Sequence, residues 1–486
     1  MTRPLIATLA AALLAACAVG PEHVRPAPPT LADAFRDPVD GAPAADASAA
    51  PAAADAAFWN AFGDPLLDAL VGEALARNHD LQAALARYDQ ANALLRGARF
   101  DLLPTVVAQG EAASSRASAS QAPGESRETR ETRDTDGYSA GVAASWELDL
   151  FGRVRRNVEA GRAAAAAQAA DLQALQVAIV GEVVANYVEV RGLQERLRVA
   201  RGNVDNQADT LRLVEARVAA GGGSDFDSAR ARAQLDTTRA TVPALEAALG
   251  AAVHRLGVLT GQPPDAWAPR LAEARPLPAL PAGPDPDSPG GLLRRRPDIA
   301  AAEQRLHAAT ARIGVATADL FPRFTLSGLI GSQSVDAGRL FERDSETRLV
   351  ALGIDWSFLD VGRVRARLAA AESGADLALA EYRQAVLLAL EDAGNALVRY
   401  ERSREEDALL ERAARDSARA AELARLRFDA GAAGLLDVLD AERTRLQAED
   451  AFAAARARSV AAAAGVYRSF AGGWPQALPQ PIADRG

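Results

Sequence analysis

The feature that most constrains the fold is an internal duplication. The stretch WELDLFGRVR at residues 146–155 returns as WSFLDVGRVR at residues 356–365, which is 210 positions later. A repeat of this length is a duplicated half-molecule and not one of the short units, of about 20–45 residues, that build a solenoid. The predicted layout is a signal peptide (1–16), a tether (17–57), a first repeat (58–269), a linker rich in proline and glycine (270–291), a second repeat (292–474) and a tail (475–486).

Each half is predicted to contain the same order of elements. A first helix ends just before a proline, as the geometry of that residue requires, at residues 65–102 and 292–320. Two strands follow, and then a helix of about 70 residues, which at ~1.5 Å per residue would be ~105 Å long. Each long helix ends at a turn containing glycine, because glycine readily adopts the left-handed conformation that terminates helices. The long helices are placed at residues 151–220 and 361–430, and the return helices end near residues 261 and 472.

The strand segments have an alternating pattern. At residues 138–150 and 350–358, apolar positions alternate with small or acidic ones, and partner strands start near Thr105 and Phe324. The alternation fits a half-buried sheet on a soluble core, or a transmembrane barrel with lipid outside and water inside. Acidic residues on one face and strands near the ~9–11 residues of a membrane strand favour the barrel. Exposed loops are predicted at residues 111–137 and 332–348.

The long helices carry an apolar stripe in steps of three and four residues. In the first helix the stripe runs from Leu172 to Leu197, and the second helix has a similar stripe of smaller residues. This pattern is typical of coiled-coil-like packing. An isolated two-stranded coiled coil would also show it, but the flanking strands argue against that interpretation.

The N-terminus is predicted to be a targeting segment. Its apolar run at residues 5–14 is too short to span a bilayer, which takes ~20 residues. The run ends in LAAC, and Cys17 is the only cysteine of the chain. This resembles the bacterial lipobox, whose cysteine becomes a lipid-modified N-terminus; an ordinary signal peptide with an incidental cysteine is the alternative. We predict a covalent lipid on Cys17, and Ala18 after it predicts sorting to the outer membrane.

The composition argues against several other classes of protein. The formal net charge of -10 disfavours nucleic-acid binding, and all 54 basic residues are arginine, so a Walker lysine is absent from the sequence. The four histidines have no metal-site spacing and are expected to be solvated or packed: His23, His79, His254 and His307. We therefore predict that the chain is not an enzyme and that it has no metal and no cofactor other than the lipid.

Several motifs together resemble one known family. In order along the chain they are CAVGPE at 17–22, FWNAFGDPLL at 58–67, NHDL at 78–81, LP at 103–104, DLFGR at 149–153 and LRRRPDI at 293–299. They are similar to motifs of the TolC-like outer-membrane efflux factors, in the lipoprotein branch that serves resistance-nodulation-division pumps. The motifs span nearly the whole mature chain.

The resemblance implies the fold class and the assembly. The expected fold is mixed and mostly α, and the expected assembly is a homotrimer in which four strands per chain close a 12-stranded outer-membrane β-barrel. A long helical barrel would continue it across the periplasm. The implied function is passive export of drugs or other small compounds from an inner-membrane pump through a periplasmic adaptor protein. The turns at the ends of the long helices would contact the adaptor through Gly221, Gly222, Gly223, Gly431 and Gly434.

We predict that acidic side chains near these turns form the gate of the tunnel. Several family members narrow the tunnel with a carboxylate inside the second turn, but the turn GAAG at 431–434 has none. The nearest acids are Asp225 and Asp227 at the first turn, and Asp429 and Asp437 at the second. We predict a ring of aspartates that favours cations. The alternative is that these aspartates only cap helices, as the Ser224 to Asp227 spacing of a capping box would suggest.

Two alternative functions remain open at this point. The same duct could serve type I protein secretion or metal-ion export, although Met1 is the only methionine and a methionine relay for copper or silver is therefore disfavoured. A periplasmic coiled-coil scaffold without a pore is the third possibility.

Overall fold

The structure is a computed structural model that describes residues 18–27, 57–118, 134–278 and 289–470. The predicted signal peptide, Cys17, most of the tether and the predicted tail lie outside these described residues.

The two halves contain similar elements. The first half has a 3-10 turn (Phe58–Phe62) and then α1 (Pro65–Arg77), α2 (His79–Phe100), β1 (Thr105–Arg116), β2 (Asp134–Leu148), α3 (Arg153–Ala219), α4 (Asp225–Arg239) and α5 (Thr241–Leu259). After the short α6 (Ala268–Leu271), the second half has α7 (Pro289–Arg295), α8 (Pro297–Ala318), β3 (Arg323–Ser334), β4 (Glu346–Asp355), α9 (Val361–Asp429) and α10 (Leu435–Ser469). The prediction of a mixed, mostly α fold with four strands in two similar halves is confirmed.

Three helices predicted as continuous are divided, so those predictions were wrong. Asn78 separates α1 from α2 because its extended backbone lets the side chain cap α2, accepting from the amides of Asp80 (2.9 Å) and Leu81 (3.1 Å). Pro297 divides the first helix of the second half, because the ring disfavours a helical Arg296 before it. The first return helix is divided at Ala240, between α4 and α5.

The four strands form one antiparallel sheet in the order β1-β2-β3-β4. β1 continues to Arg116 and β2 starts at Asp134, and these two residues are register partners with an ion pair of 3.5 Å. The predicted loop at 111–137 was therefore too long at both ends. The predicted loop at 332–348 was too long as well, since β3 reaches Ser334 and β4 starts at Glu346. Hydrogen bonds between neighbouring strands continue the sheet into segments that lack an alternating apolar pattern.

The chain divides into two compact units. One contains the described residues of 18–26, 88–168 and 301–383, including the whole sheet. The other contains the described residues of 57–87, 169–300 and 384–470, and its main core forms around the predicted stripe of α3. The buried members of that core include Leu67, Leu70, Leu172, Val183, Tyr187 and Val190.

By length and composition, α3 and the run Asp225–Leu259 could cross a membrane. Core helices pass the same test, and the apolar stripe of α3 is occupied by packing against α1 and α5 through residues such as Leu70, Val183 and Leu256. The core therefore accounts for part of the apolar character of these helices.

Two facing glycines set the closest approach between β2 and β3. Gly141 and Gly331 are register partners, and a Cβ on Gly331 would lie 2.5 Å from the carbonyl oxygen of Ala140.

We expect Gly331→Ala to lower the free energy of unfolding by ~1–3 kcal/mol through overpacking. The matched control is Gly328→Ala on the same strand, where the nearest atom is the carbonyl oxygen of Leu349 at 3.8 Å. Thermal unfolding of the purified protein in detergent measures both, and equal effects would contradict the prediction.

Candidate conduit, junction and gate residues

The register of the sheet separates an apolar face from a polar face. Val142 pairs with Ile330, and Trp146 pairs with Leu326, whereas Glu147 pairs with Thr325 and Ser145 with Ser327. The apolar side chains are largely exposed in the single chain; Ile330 is 76% exposed, and Val350 on β4 is 82% exposed. Exposed contiguous apolar surface of this kind marks a contact with lipid or with protein. The other face offers hydroxyl, amide and carboxylate groups that suit water.

A tryptophan fixes the junction of helix and strand in each half. The indole Nε1 of Trp146 donates to the carbonyl oxygen of Leu102 (3.1 Å), and that of Trp356 donates to the carbonyl oxygen of Leu320 (3.1 Å). Both acceptors follow the end of a helix, where backbone carbonyls lack helical partners. Tryptophans with one apolar side and one polar handle are typical of membrane–water interfaces.

The DLFGR motif makes the turn from β2 into α3. The carboxylate of Asp149 accepts from the amides of Val154 (3.0 Å) and Arg155 (2.9 Å), so it caps the first turn of α3. Gly152 is in the left-handed region at φ 81°, and Arg153 forms a two-pronged pair with Glu147 (2.8 and 2.5 Å). The motif that carried the resemblance is therefore a structural corner.

Arg296 of the LRRRPDI motif has a structural role as well. Its guanidinium donates to Asp298 on α8 (2.8 Å), to Asp392 on α9 (3.0 Å) and to the carbonyl oxygen of Ser469 at the end of α10 (2.9 Å). One planar cation with several donors in a fixed geometry can hold three helices in this way.

Both long helices end in the predicted glycine turns. Gly221 (φ 76°) and Gly431 (φ 71°) are left-handed. In each turn the next amide returns to a carbonyl five residues back, from Gly222 to Arg217 (2.9 Å) and from Ala432 to Arg427 (2.7 Å). This is the Schellman motif. The Arg217 guanidinium also lies 4.5 Å from the ring centre of Phe428, so the ends of α3 and α9 contact each other.

The four candidate gate aspartates fall into two classes. Asp227 completes the predicted capping box, since its carboxylate accepts from the amide (3.0 Å) and hydroxyl (2.8 Å) of Ser224. Asp437 accepts from the amide of Gly434 (3.0 Å). Asp225 and Asp429 are exposed, and their carboxylates have no hydrogen bond or ion pair to the described part of the chain. The capping alternative thus accounts for two of the four.

Sequence reasoning missed a buried polar contact between α3, α9 and α10. The Nη2 of Arg425 donates to Oε1 of Glu442 (3.1 Å) and to the hydroxyl of Thr210 (3.4 Å). Glu442 is 2% exposed, and the amide of the buried Gln207, one turn before Thr210, has no partner among the described residues. A buried charge whose partner is removed is costly. The only signal in the sequence is a glutamate one turn after the buried Val438 and Leu439 of α10.

A second missed network lies in the main core. The Tyr187 hydroxyl donates to Asp64, and burial followed by this carboxylate raises the pKa of Tyr187 to about 12. The buried Arg191 donates to the Tyr187 oxygen (3.1 Å) and to the carbonyl oxygen of Glu273 (2.9 Å). It therefore ties the start of the predicted linker to α3.

The structure brings two histidines together without creating a metal centre. His23 stacks on His307, with 4.5 Å between ring centres, and His307 contacts Glu159. Within residues 18–27, 57–118, 134–278 and 289–470, no group of three or more histidine, cysteine, aspartate or glutamate side chains is arranged to hold a metal ion.

Comparison with known proteins agrees with this architecture in both halves. The model of the family described as Outer membrane efflux protein matches residues 70–262 and 289–472. The outer membrane protein OprJ of Pseudomonas aeruginosa is 32% identical over 481 residues, covering 97% of this chain and 96% of that protein. The pyoverdine export outer membrane protein OpmQ of the same organism is 33% identical, covering 86% of this chain and 87% of that protein.

A solved structure extends the similarity to three dimensions. The outer-membrane channel OprN has a TM-score of 0.86 and 40% identity to this chain, covering 94% of this chain and 100% of that one. The predictions of an efflux function and of an outer-membrane location are confirmed by these similarities. The protein is thus an outer-membrane channel component of an efflux system, and it belongs to the outer membrane efflux protein family.

Proposed function

We propose that three copies of this chain close one barrel in the outer membrane. The trimer passively conducts drugs or other small compounds that an inner-membrane pump of the resistance-nodulation-division class delivers through a periplasmic adaptor. The observation that carries the proposal is a sheet whose outer strands, β1 and β4, each pair on one side only while its apolar face is exposed. Unpaired backbone groups are not tolerated in lipid, so each edge needs a strand from another copy.

The number of copies follows from the width of a barrel. The described residues of each chain supply four strands. One chain cannot enclose a pore, and a barrel of about eight strands has an interior that side chains fill. Three copies are therefore the smallest closed assembly of this sheet that leaves room for water along the axis. The polar face with Glu147, Thr325 and Ser327 would line it.

The adaptor contact is assigned to the turns at Gly221, Gly222, Gly223, Gly431 and Gly434. Close to these turns, Phe226 is 68% exposed and Leu436 is 49% exposed. We include these two side chains in the proposed adaptor contact. The cargo is assigned only as small compounds, because the relatives of similar identity include a pyoverdine exporter.

The test of the function combines a purified protein with a deletion strain. The trimer model predicts stepwise conductance in planar bilayers and an oligomer of three chains in detergent. Loss of the gene is expected to raise drug susceptibility, and the wild-type gene is expected to restore it. A monomer without conductance would favour the poreless scaffold, and a conducting trimer whose loss changes no drug susceptibility would favour the secretion or metal-ion alternatives.

The two aspartates without partners are the best candidates for ion selectivity. We expect the double variant Asp225→Asn with Asp429→Asn to conduct with a lower cation-over-anion permeability ratio, because a ring of carboxylates at a constriction attracts cations. The reversal potential in a salt gradient measures this ratio. The control is Asp416→Asn, an exposed aspartate 13 residues earlier on α9. An unchanged reversal potential in the double variant would end the ring hypothesis.

The two capping aspartates are expected to act on stability. Asp227→Ala removes the bonds from Ser224 to the N3 carboxylate of the capping box. It should destabilise the start of α4 by about 1 kcal/mol, which corresponds to roughly fivefold faster local hydrogen exchange. Asp227→Asn keeps an acceptor oxygen and should change exchange much less. Asp225→Ala is the matched control because its carboxylate makes no hydrogen bond or ion pair with the described residues. Equal exchange rates for Asp227→Ala and Asp225→Ala would contradict the capping role.

Anchoring is assigned to Cys17. We expect the N-terminal peptide of the mature protein to carry covalent acyl chains and Cys17→Ser to lack them, since lipid attachment requires the thiol. Mass spectrometry of the N-terminal peptide detects the difference, and Ala18→Ser controls for a change in the signal sequence. An unmodified cysteine in the wild-type protein would show that the segment is an ordinary signal peptide.

A further inference from the structure

The residues directly after Cys17 are docked on the sheet-containing unit. We call residues 18–26 the strap. The amide of Val19 donates to the carbonyl oxygen of Phe151 (3.1 Å), and the guanidinium of Arg156 on α3 donates to the carbonyl oxygens of Val19 (3.2 Å) and Gly20 (3.4 Å). Arg156 is almost fully buried, and its Nε and Nη2 would lose these two acceptors if the strap left, while its Nη1 would remain bonded to Glu159. The strap is therefore held by specific backbone contacts.

Glycines shape the docking site. A Cβ on Gly20, which is left-handed at φ 92°, would lie 2.4 Å from the Cα of Gly314 on α8. A Cβ on Gly152 would lie 2.5 Å from the Cβ of Ala18. Neither glycine could carry a side chain without moving the strap. The strap thus lies in close contact with α3 from the first half and with α8 from the second.

The outer end of the strap is held by a pair of histidines. The ring of His23 is stacked on that of His307, with 4.5 Å between centres and 13° between planes. Nε2 of His307 lies 2.9 Å from Oε1 of Glu159, so this ring is already engaged by α3. Nε2 of His23 is buried and has no hydrogen-bond partner among the described residues. A proton added there would be buried without an acceptor.

The charges around His23 come from three elements. His307 and Glu303 act on it from α8, and Glu159 acts on it from α3. Glu303 is paired with Arg25 of the strap (3.0 Å), and Glu159 is paired with Arg156 (2.8 Å). Burial lowers the pKa of His23 first and His307 lowers it further, and the attraction of Glu303 and Glu159 does not compensate.

Glu159 stays ionised across the pH range in which histidines titrate. Burial would raise its pKa, but hydrogen bonds from Arg156 and His307 hold the pKa of this carboxyl below its usual value. Glu159 is therefore not the group whose charge changes on the strap's docking site in that pH range, and the proposal concerns His23.

We propose that the strap is a pH-controlled latch, which docks on α3 and α8 while His23 is neutral and is released when His23 takes up a proton. The direction follows from linkage. A docked His23 holds a proton less tightly than a free one, so docking is strongest above the free histidine value of about 6.5 and weakens as the pH falls below it. Docking continues to weaken with falling pH until the pH is below the lowered pKa of the docked His23.

The latch does not depend on what the channel conducts. It acts on the first nine residues after Cys17, so its release would free the chain between the proposed lipid and the corner at Phe151. Because the strap contacts α3 and α8, release would also remove a link between the two halves of the chain.

Hydrogen exchange on the full-length protein tests the latch directly. The amide of Val19 reports docking through its bond to Phe151, and rates are corrected for the intrinsic pH dependence of exchange. We expect protection of residues 18–26 to be constant from pH 8 to about 7, and to fall by up to about tenfold per pH unit below about 6.5. Constant protection of the wild-type strap down to pH 5 would overturn the proposal.

Two variants connect the titration to His23. His23→Phe keeps an aromatic ring for the stack but cannot take up a proton, so its strap is expected to stay protected at pH 5. His254→Gln replaces an exposed histidine of α5 and should retain the wild-type pH dependence. A His23→Phe strap that is unprotected at every pH, or that loses protection with the wild-type pH dependence, would contradict the assignment of the latch to His23. A His254→Gln strap that no longer responds to pH would contradict it as well.

Discussion

The rest of the structure depends on one constraint, which is that a backbone amide or carbonyl in lipid must have a hydrogen-bond partner. The sheet satisfies this between β1 and β4, where each strand is paired in continuous register with its neighbour. Within the described residues of one chain, the outer sides of β1 and β4 have no strand partner. The sheet therefore requires strands from further copies of the chain. The apolar side chains of Ile330 and Val350 on one face of this sheet are also exposed in the single chain.

The helices meet a different constraint, which is close packing without large side chains. In the unit that contains the main core, a Cβ on Gly192 of α3 would lie 2.6 Å from the Cβ of Ala457 on α10, and Ala455 and Ala463 of α10 are completely buried. Small residues let helix backbones approach each other, while alanine keeps the helix propensity that a helix of 67 residues needs. The low aromatic content of 5% follows, because a wall of closely spaced helices has little room for rings.

The sequence predicted those features that a local pattern encodes. The duplication, the alternation in β2 and β4, the stripe from Leu172 to Leu197 and both glycine turns are visible in short windows, and each is present in the structure. The missed features depend on residues far apart in the chain. Nothing near Glu442 indicates Arg425 as its partner, and nothing near Tyr187 indicates Asp64. The gate residues could not be assigned from the sequence for the same reason. An aspartate near a turn can be a capping carboxylate or a free one, and only its contacts distinguish the two.

The two corners between sheet and long helix differ in geometry, and only the first is in contact with the strap in the described residues. The corner after β2 and the corner after β4 share the glycine-arginine-valine-arginine sequence, but Gly152 is left-handed, whereas Gly362 lies within the first turn of α9. Asp149 caps α3 through two amides, whereas the carboxylate of Asp360 pairs with Arg363 at 3.0 Å. A chain has one N-terminus and therefore one strap, so only one of the two corners can receive it. The left-handed Gly152, packed against Ala18, is the form of the corner that leaves space for the strap, and the corner at Gly362 has the simpler geometry of a continuous helix start.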